Sequence, residues 1–538
     1  MRTHTASPSE VTPGADDPVG SVPMALKTKH PFLIGIGGSG MSALARLLAA
    51  DRANVTGADS TATDITAELQ TAGIPVHTDA DPNALPADTD LVITSAAVRP
   101  DHPQLLEATH RGIPHLTYAE ALGTCMIGRT GVSIAGTHGK STTTAMLGVA
   151  LTDAGLDPSV IVGATCNQLA QGALAERSPE RERRAGATTD TRPVSSRLGA
   201  PTIPTGPLAD TPGLLLAEAC EYNRSFHHHR PTVASIANVE ADHLDIYGSL
   251  DAVVEAFADF AKLVPPESEG GRLLIGHDGA HRREITAGLQ CRVETIGFNP
   301  AADWPVTFDP RTRAISITTP DARRCEFTLA MPGEHNATNA AVAAALAIIL
   351  GADPDTVGRS LSAFAGLDRR MHFRGEKPHA IGGTVRVYDD YGHHPTEIDA
   401  TLRALRHHEQ PHLRNGRLVV VFQPHQHSRT RFLLEEFATS FEQADVVIVP
   451  QIYFVRDSEA EKQRVSAADL VDKLRSRNVR AMHLHPFDAI VEALDDVCRP
   501  GDTLVVMGAG PVWTVARDYL RSSPVAERWG GGGGIAKR

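Results

Sequence analysis

At 538 residues the chain is longer than one hydrophobic core can grow, so several domains are expected, and its 41% hydrophobic and 21% charged residues are ordinary globular values. The formal charge of -13 argues against a nucleic-acid partner, which would need a basic face, and the longest purely apolar run, Ala340 to Leu350, has 11 residues, too few for membrane insertion. The polar start carries no secretory signal and the six cysteines form no CxxC pair, so a cytoplasmic protein with reduced thiols is expected.

Residues 1–29 and 530–538 read as disordered tails, because neither has an apolar period. From Pro31, strand-like runs alternate with helical ones: PFLIGIG before a helix from Met41 to Ala50, then ANVTGAD, DLVITSA, and GVSIAG before a helix from Lys140. Such alternation predicts an α/β protein with parallel sheets and crossover helices. The stretch 177–213, rich in charge, Thr and Pro, reads as a surface insertion. A further alternating block opens at TVRVYDD and runs through RLVVVFQ, DVVIVP and DTLVVMGAG. Domains are expected over 30–127, 128–366 and 367–529.

The first glycine loop, Gly35-Ile36-Gly37-Gly38-Ser39-Gly40-Met41, joins a strand to a helix. Backbone amides and the positive helix end can hold a diphosphate there. Asp59 lies 19 residues beyond Gly40, at the end of the next expected strand, and Ser95 ends the strand DLVITSA. Taken bare, this fingerprint reads as an NAD-dependent oxidoreductase, or as a tight turn without a ligand.

The second loop, Gly136-Thr137-His138-Gly139-Lys140-Ser141-Thr142, is a shortened phosphate loop with Ile134 where the full spacing has Gly. Its amides can cradle the phosphates of ATP, Lys140 can neutralise them, and the Ser141 hydroxyl can complete a Mg2+ shell. Two phosphate loops imply two phosphorylated ligands. Glu218 and His243 follow strands downstream and are candidate Mg2+ ligands, against the plainer readings of a salt-bridged carboxylate and a capping or core histidine. His227, His228 and His229 are adjacent, cannot all face one ion, and read as solvated surface.

Together with GTHGKST, the strings NVEADHLDIY, PGEHNATNA, DDYGHHPTE and FQPHQHSRTR resemble, in order and spacing over residues 30–520, the Mur ligase family. The resemblance implies an N-terminal Rossmann-like domain for a UDP-sugar, a central P-loop ATPase with a mostly parallel sheet, and a C-terminal Rossmann-like domain for an amino acid. GIGGSGM and DDYGHHPTE are similar to the branch that joins L-alanine to UDP-N-acetylmuramate, so those two partners are expected, with a monomer or weak homodimer. It further implies that Gly35, Gly37, Gly38, Ser39, Gly40, Met41, Asp59 and Ser95 serve the UDP-sugar. Ser141, Glu218 and His243 would hold Mg2+, and Asn336, Asn339, Asp390 and Tyr391 would meet the nucleotide. Amides suit the edge of adenine, and Asn336 and Asn339 share a helix face. Lys140 and Arg370 would approach the transferred phosphate, while His393 and Arg429 would lie near the amino acid and the substrate carboxylate.

The chain departs from the family pattern at Gln426, where an arginine is usual, and at Cys220 and Asn223, where acids are usual. The alternatives that remain are a recycling ligase attaching a tripeptide to the same sugar, the NAD-dependent oxidoreductase, and a catalytically dead relative.

Overall fold

The computed structural model describes residues 26–78, 80–172, 194–455 and 457–522. Three sheets form in sequence. β1 (Pro31–Ile34), β2 (Thr56–Ala58), β3 (Val76–His77), β4 (Leu91–Thr94) and β5 (His115–Thr117) make a parallel sheet in the order β3-β2-β1-β4-β5. The strand order reverses beside β1, and in such sheets the crevice at the reversal is where ligands bind. The first glycine loop leaves β1 at that point.

The central sheet has ten strands. They are β6 (Thr130–Ala135), β7 (Ser159–Cys166), β8 (Val194–Arg197), β9 (Leu214–Ala219), β10 (Val233–Ile236), β11 (Arg272–Gly276), β12 (Arg292–Gly297), β13 (Trp304–Asp309), β14 (Ala314–Thr318) and β15 (Arg324–Thr328). Their order is β15-β14-β13-β12-β11-β10-β6-β9-β7-β8, with β6 flanked by two later strands. The phosphate loop leaves β6 between the ends of β9 and β10, which carry Glu218 and lead to Asn238. The helix Lys140–Asp153 is buried on nearly every side, because the Ala-rich helix Glu334–Ile349 packs against it. That helix holds the apolar run noted above, so the run is a core helix.

The third sheet contains β16 (His372–Pro378), β17 (Thr384–Asp390), β18 (Leu418–Phe422), β19 (Val446–Val449), β20 (Arg480–His483) and β21 (Thr503–Met507), in the order β16-β17-β21-β18-β19-β20. Only β16 is antiparallel. Apolar side chains cover both faces of this sheet, as parallel strands require. The α/β class and the mostly parallel central sheet expected from the sequence are therefore observed. Between the helix ending at Ala363 and β16, the chain crosses into the third sheet through Gly366, Arg369 and Met371, which have φ of 109°, 58° and 46°.

Several expectations are corrected. The ordered chain starts before Pro31: Leu26 is buried in the N-terminal core, and Lys29 pairs with Asn54 and Asp90. The rest of the two expected tails lies outside the described residues. Of the segment 177–213, residues 177–193 lie outside them too, while β8 pairs antiparallel with β7 and Ile203 is fully buried. Residues 194–213 thus join the edge of the central sheet, and apart from Ile203 and Gly213 they are half-buried or exposed. His229 is 3% exposed and hydrogen-bonded to Ser133 at 2.8 Å, and His227 stacks on Phe226, so of the three histidines His228 alone is exposed. The short 3-10 segment Tyr222–His228 turns these neighbours in different directions.

Candidate active site

The phosphate loop owes its shape to its glycines. Gly136 and Gly139 have φ of 143° and 83°, and a Cβ on Gly139 would lie 2.1 Å from Oδ1 of Asn339. Lys140 reaches back across the loop, donating to the carbonyls of Gly136 (2.7 Å) and Thr137 (3.0 Å) and to Glu221 at 2.9 and 3.2 Å. Burial works against the ammonium, but Glu221 outweighs it and holds Lys140 well above its usual range.

The expected Mg2+ ligands divide into two places on one cleft. Ser141 Oγ donates to Glu218 Oε2 at 3.1 Å, and Gly163 N–H fixes the other Glu218 oxygen. His243 instead lies 3.8 Å from Glu221 and 3.6 Å from Asp242, and one ligand atom from each of these three falls within 4.8 Å of the others. Hydroxyl and carboxylate oxygens suit a hard divalent cation, so the donor set fits Mg2+, with Glu221 standing where Lys140 and His243 both reach it. No motif singles out Glu221 in the sequence, although it follows β9 by two residues.

A cleft of about 710 Å3 joins all three domains. The N-terminal helix Ser39–Ala50 contributes Ser39, Ser42 and Arg46, the central domain Lys140, Ser141 and Glu218, and the C-terminal domain His393, Gln426 and Arg429. A second cavity of about 290 Å3 is lined by Asn336, Asn339, Met371 and Asp390, and His138, Gly139, Arg370 and Glu397 line both. Thr142 faces the smaller cavity and Tyr391 the larger.

Other expected residues are placed less directly. Gly35 packs against Ser95, whose Cβ would be 2.9 Å from a Cβ on Gly35, so these two share the crevice between β1 and β4. Gly40 faces Tyr118, and Gly38 precedes the helix that Ser39 begins. Asp59 accepts the N–H of Gly37 at 2.9 Å and that of Thr61 at 3.1 Å, bracing the loop from below. Each oxygen of its carboxylate is thus engaged by one backbone N–H. Met41 is 3% exposed and its side chain packs in the N-terminal core.

At the C-terminal side, Asp390 accepts from the N–H groups of Met371 and Gly392, each at 2.7 Å, and burial pushes its carboxyl up to about 6. Arg370 and Arg369 lie over the Tyr391 ring at 4.9 and 5.1 Å. Arg369 is bonded to the carbonyls of Gly508 and Gly510, whereas Arg370 makes no ion pair among the described residues. His393 Nδ1 is 3.2 Å from the carbonyl of Tyr391 and burial pushes the imidazole down to about 4, which keeps it neutral with Nδ1 donating and Nε2 left as an acceptor. Arg429 is committed to Asp242, with Nη2 2.9 and 3.2 Å from its oxygens. An arginine expected to meet substrate therefore arrives with its charge already balanced. Gln426, with φ of 66°, is buried at the start of the short helix His427–Phe432.

Residues 32–130 match the Mur ligase family, catalytic domain; residues 134–347 the Mur ligase middle domain; and residues 369–510 the Mur ligase, glutamate ligase domain. The UDP-N-acetylmuramate--L-alanine ligase of Kineococcus radiotolerans is 38% identical over 494 residues, covering 91% of this chain and 95% of that one. The protein of the same name from Acetivibrio thermocellus is 33% identical over 92% of this chain and 96% of its own. Among solved structures, the UDP-N-acetylmuramate-alanine ligase of Thermotoga maritima aligns with a TM-score of 0.68 at 24% identity over 92% of this chain and 99% of its own. A murein peptide ligase from Psychrobacter arcticus aligns with a TM-score of 0.66 at 25% identity, covering 92% and 98%. With three successive domain matches in sheets that meet at one cleft, the chain belongs to the Mur ligase family.

Proposed function

We propose that this protein is an ATP-dependent ligase that joins L-alanine to the lactyl carboxylate of UDP-N-acetylmuramate, a step of peptidoglycan precursor synthesis. The observation that carries the reading is the single cleft in which the phosphate loop at Lys140 faces the helix of the first glycine loop on one side and His393 and Arg429 on the other. The names of its relatives support it. We place the reaction in the cytoplasm, where ATP and nucleotide-linked sugars are available.

A carboxylate must be activated before an amine can displace its oxygen. In this reading its oxygen attacks the γ-phosphorus of ATP, the bond to ADP breaks, and an acyl phosphate results. Lys140 and Arg370 offset the repulsion between the two anions. Ser141 and Glu218, with Glu221 and His243 nearby, would hold Mg2+, which when bound supplies further charge neutralisation. The amine of L-alanine then attacks the acyl carbon and phosphate departs. Nε2 of the neutral His393 would accept the proton that the amine loses. Asn336, Asn339 and Asp390 around the smaller cavity would take adenine and ribose, and Tyr391 would contact the nucleotide from the larger cleft.

Phosphate release in the presence of UDP-N-acetylmuramate, ATP and a panel of amino acids tests this directly. L-alanine is expected to give the highest kcat/KM. A preference for the tripeptide L-alanyl-γ-D-glutamyl-meso-diaminopimelate would move the protein to the recycling branch, and release independent of any acceptor amine would overturn the ligase reading.

A further inference from the structure

Glu397 begins the helix Pro395–Glu409 at the junction of the central and C-terminal domains, and its two oxygens do different things. Oε2 accepts the backbone N–H groups of His393 at 3.0 Å and His394 at 3.3 Å, and lies 3.4 Å from the ring nitrogen Nδ1 of His393. Oε1 lies 3.3 Å from Nδ1 of His138, in the phosphate loop. Helix capping uses Oε2 alone, so it gives no reason for the contact at Oε1. The other ring nitrogen of His138 is 3.4 Å from Glu240, which in turn accepts the hydroxyl of Thr396 at 2.6 Å, next to Glu397.

The pair is ionised at neutral pH. Burial works to raise the Glu397 carboxyl, but His393, His138 and Arg370 outweigh it and hold it well below its usual value. Burial works to lower His138, but Glu240 and Glu397 outweigh it and raise the imidazole to about 9. Both side chains are largely shielded, 16% and 14% exposed, so the attraction is weakly screened. They stand where the two cavities meet, beside Gly139 and Arg370.

We propose that Glu397 is a positioning residue that couples the nucleotide loop to the amino-acid end of the cleft, holding His138 through Oε1 and the backbone and ring of His393 through Oε2. This rests on the ligase reading above. A loop settled by ATP fixes His138, hence Glu397, hence the orientation of His393, so ATP strengthens the binding of L-alanine. By linkage L-alanine strengthens that of ATP to the same degree.

Glu397→Gln keeps an oxygen for the two N–H groups but cannot pair with an imidazolium. The KM for L-alanine is measured across ATP concentrations in wild type, E397Q, H138Q and the double variant, with Tm and UDP-N-acetylmuramate affinity as controls. In wild type the KM for L-alanine is expected to fall about fivefold or more as ATP saturates. In E397Q it becomes independent of ATP, while sugar-nucleotide affinity holds. The double variant is no worse than either single one. Should E397Q lower the Tm, H138Q carries the same test with the helix cap intact. An undiminished dependence on ATP in both single variants, or strictly additive losses, overturns the coupling. Wild-type enzyme that releases no phosphate with L-alanine overturns the ligase reading instead.

Discussion

Nη2 of Arg429, on the C-terminal domain, sits 2.9 and 3.2 Å from the two carboxylate oxygens of Asp242, on the central domain, with both side chains buried. Burial works to raise the Asp242 carboxyl, but Arg429 outweighs it and holds it well below its usual range. Replacing Asp242 by Asn leaves a guanidinium buried without its counter-charge, a loss of about 3–5 kcal/mol. Because the pair spans two domains, the expected result is a junction that opens: faster proteolysis of residues 364–371, a lower Tm and a fall in kcat/KM. D242N combined with Arg429→Met should recover most of the Tm and none of the activity. A single variant as protease-resistant as wild type would show that the pair does not hold the domains together.

Lys140→Ala is expected to lower kcat/KM for ATP by about 10³-fold, the order found when one fixed charge is removed from a developing anion. The affinity for UDP-N-acetylmuramate, measured by calorimetry, should stay within about twofold, since the first glycine loop belongs to another domain. Turnover near the wild-type rate would refute the role of Lys140.

Arg370 makes no close ion pair among the described residues, though its charge helps keep Glu397 ionised, in contrast to Lys140 paired with Glu221 and Arg429 paired with Asp242. Arg370→Met should therefore cost kcat, by about 10²-fold or more, and leave the folded state nearly as stable as before. Thermal unfolding and single-turnover kinetics separate the two. A variant that loses stability but not kcat would place Arg370 among the structural arginines.

Gly40→Ala brings a Cβ to 2.8 Å from Cζ and Oη of Tyr118, so either the ring or the first turn of the helix must shift. The KM for UDP-N-acetylmuramate is expected to rise about tenfold with the KM for ATP unchanged, a contrast that steady-state kinetics reads directly. Equal changes in both would mean that the substitution unsettles the cleft as a whole.

His229 sets an acid limit on stability. Burial pushes its imidazole down to about 4. Between an unfolded value of about 6.5 and that lowered value, the unfolded chain binds a proton that the folded protein refuses. Stability therefore falls as pH drops through this window, by about 3 kcal/mol from this residue. Urea unfolding of His229→Gln should show lower stability at pH 7 and an acid dependence shallower by one proton; an unchanged slope would assign the acid sensitivity to other groups.

The elements that place the site were legible because they rest on local rules. The run Gly131–Ala135 followed by Gly136, Gly139 and Lys140 marks strand, left-handed loop and helix start within ten residues, and each is found where expected. β16 was not legible: HFRGEKP is polar, carries a bulge between Phe373 and Gly375, and is a strand because β17 offers it an edge. Nor could sequence show what each charge would meet. Lys140 finds Glu221 81 residues away, Arg429 finds Asp242 187 away, and His138 finds Glu397 259 away. Glu240, Asp242 and Glu397 all lay inside strings whose family resemblance was plain, yet pairing across a domain junction leaves no periodic trace. The burial of His229 leaves no trace in sequence for a related reason: residues in and just after a 3-10 turn point different ways, so a run of one residue type does not share one environment.

Arg370 is carried by the linker itself, between Arg369 and Met371, both in left-handed backbone. On the proposed reading, an outward swing of the third domain about these bonds would carry the guanidinium away from the nucleotide as it admitted water. An enzyme caught half-open would then be idle, not wasteful, because the same torsions that admit a competing nucleophile would also disarm the phosphoryl donor.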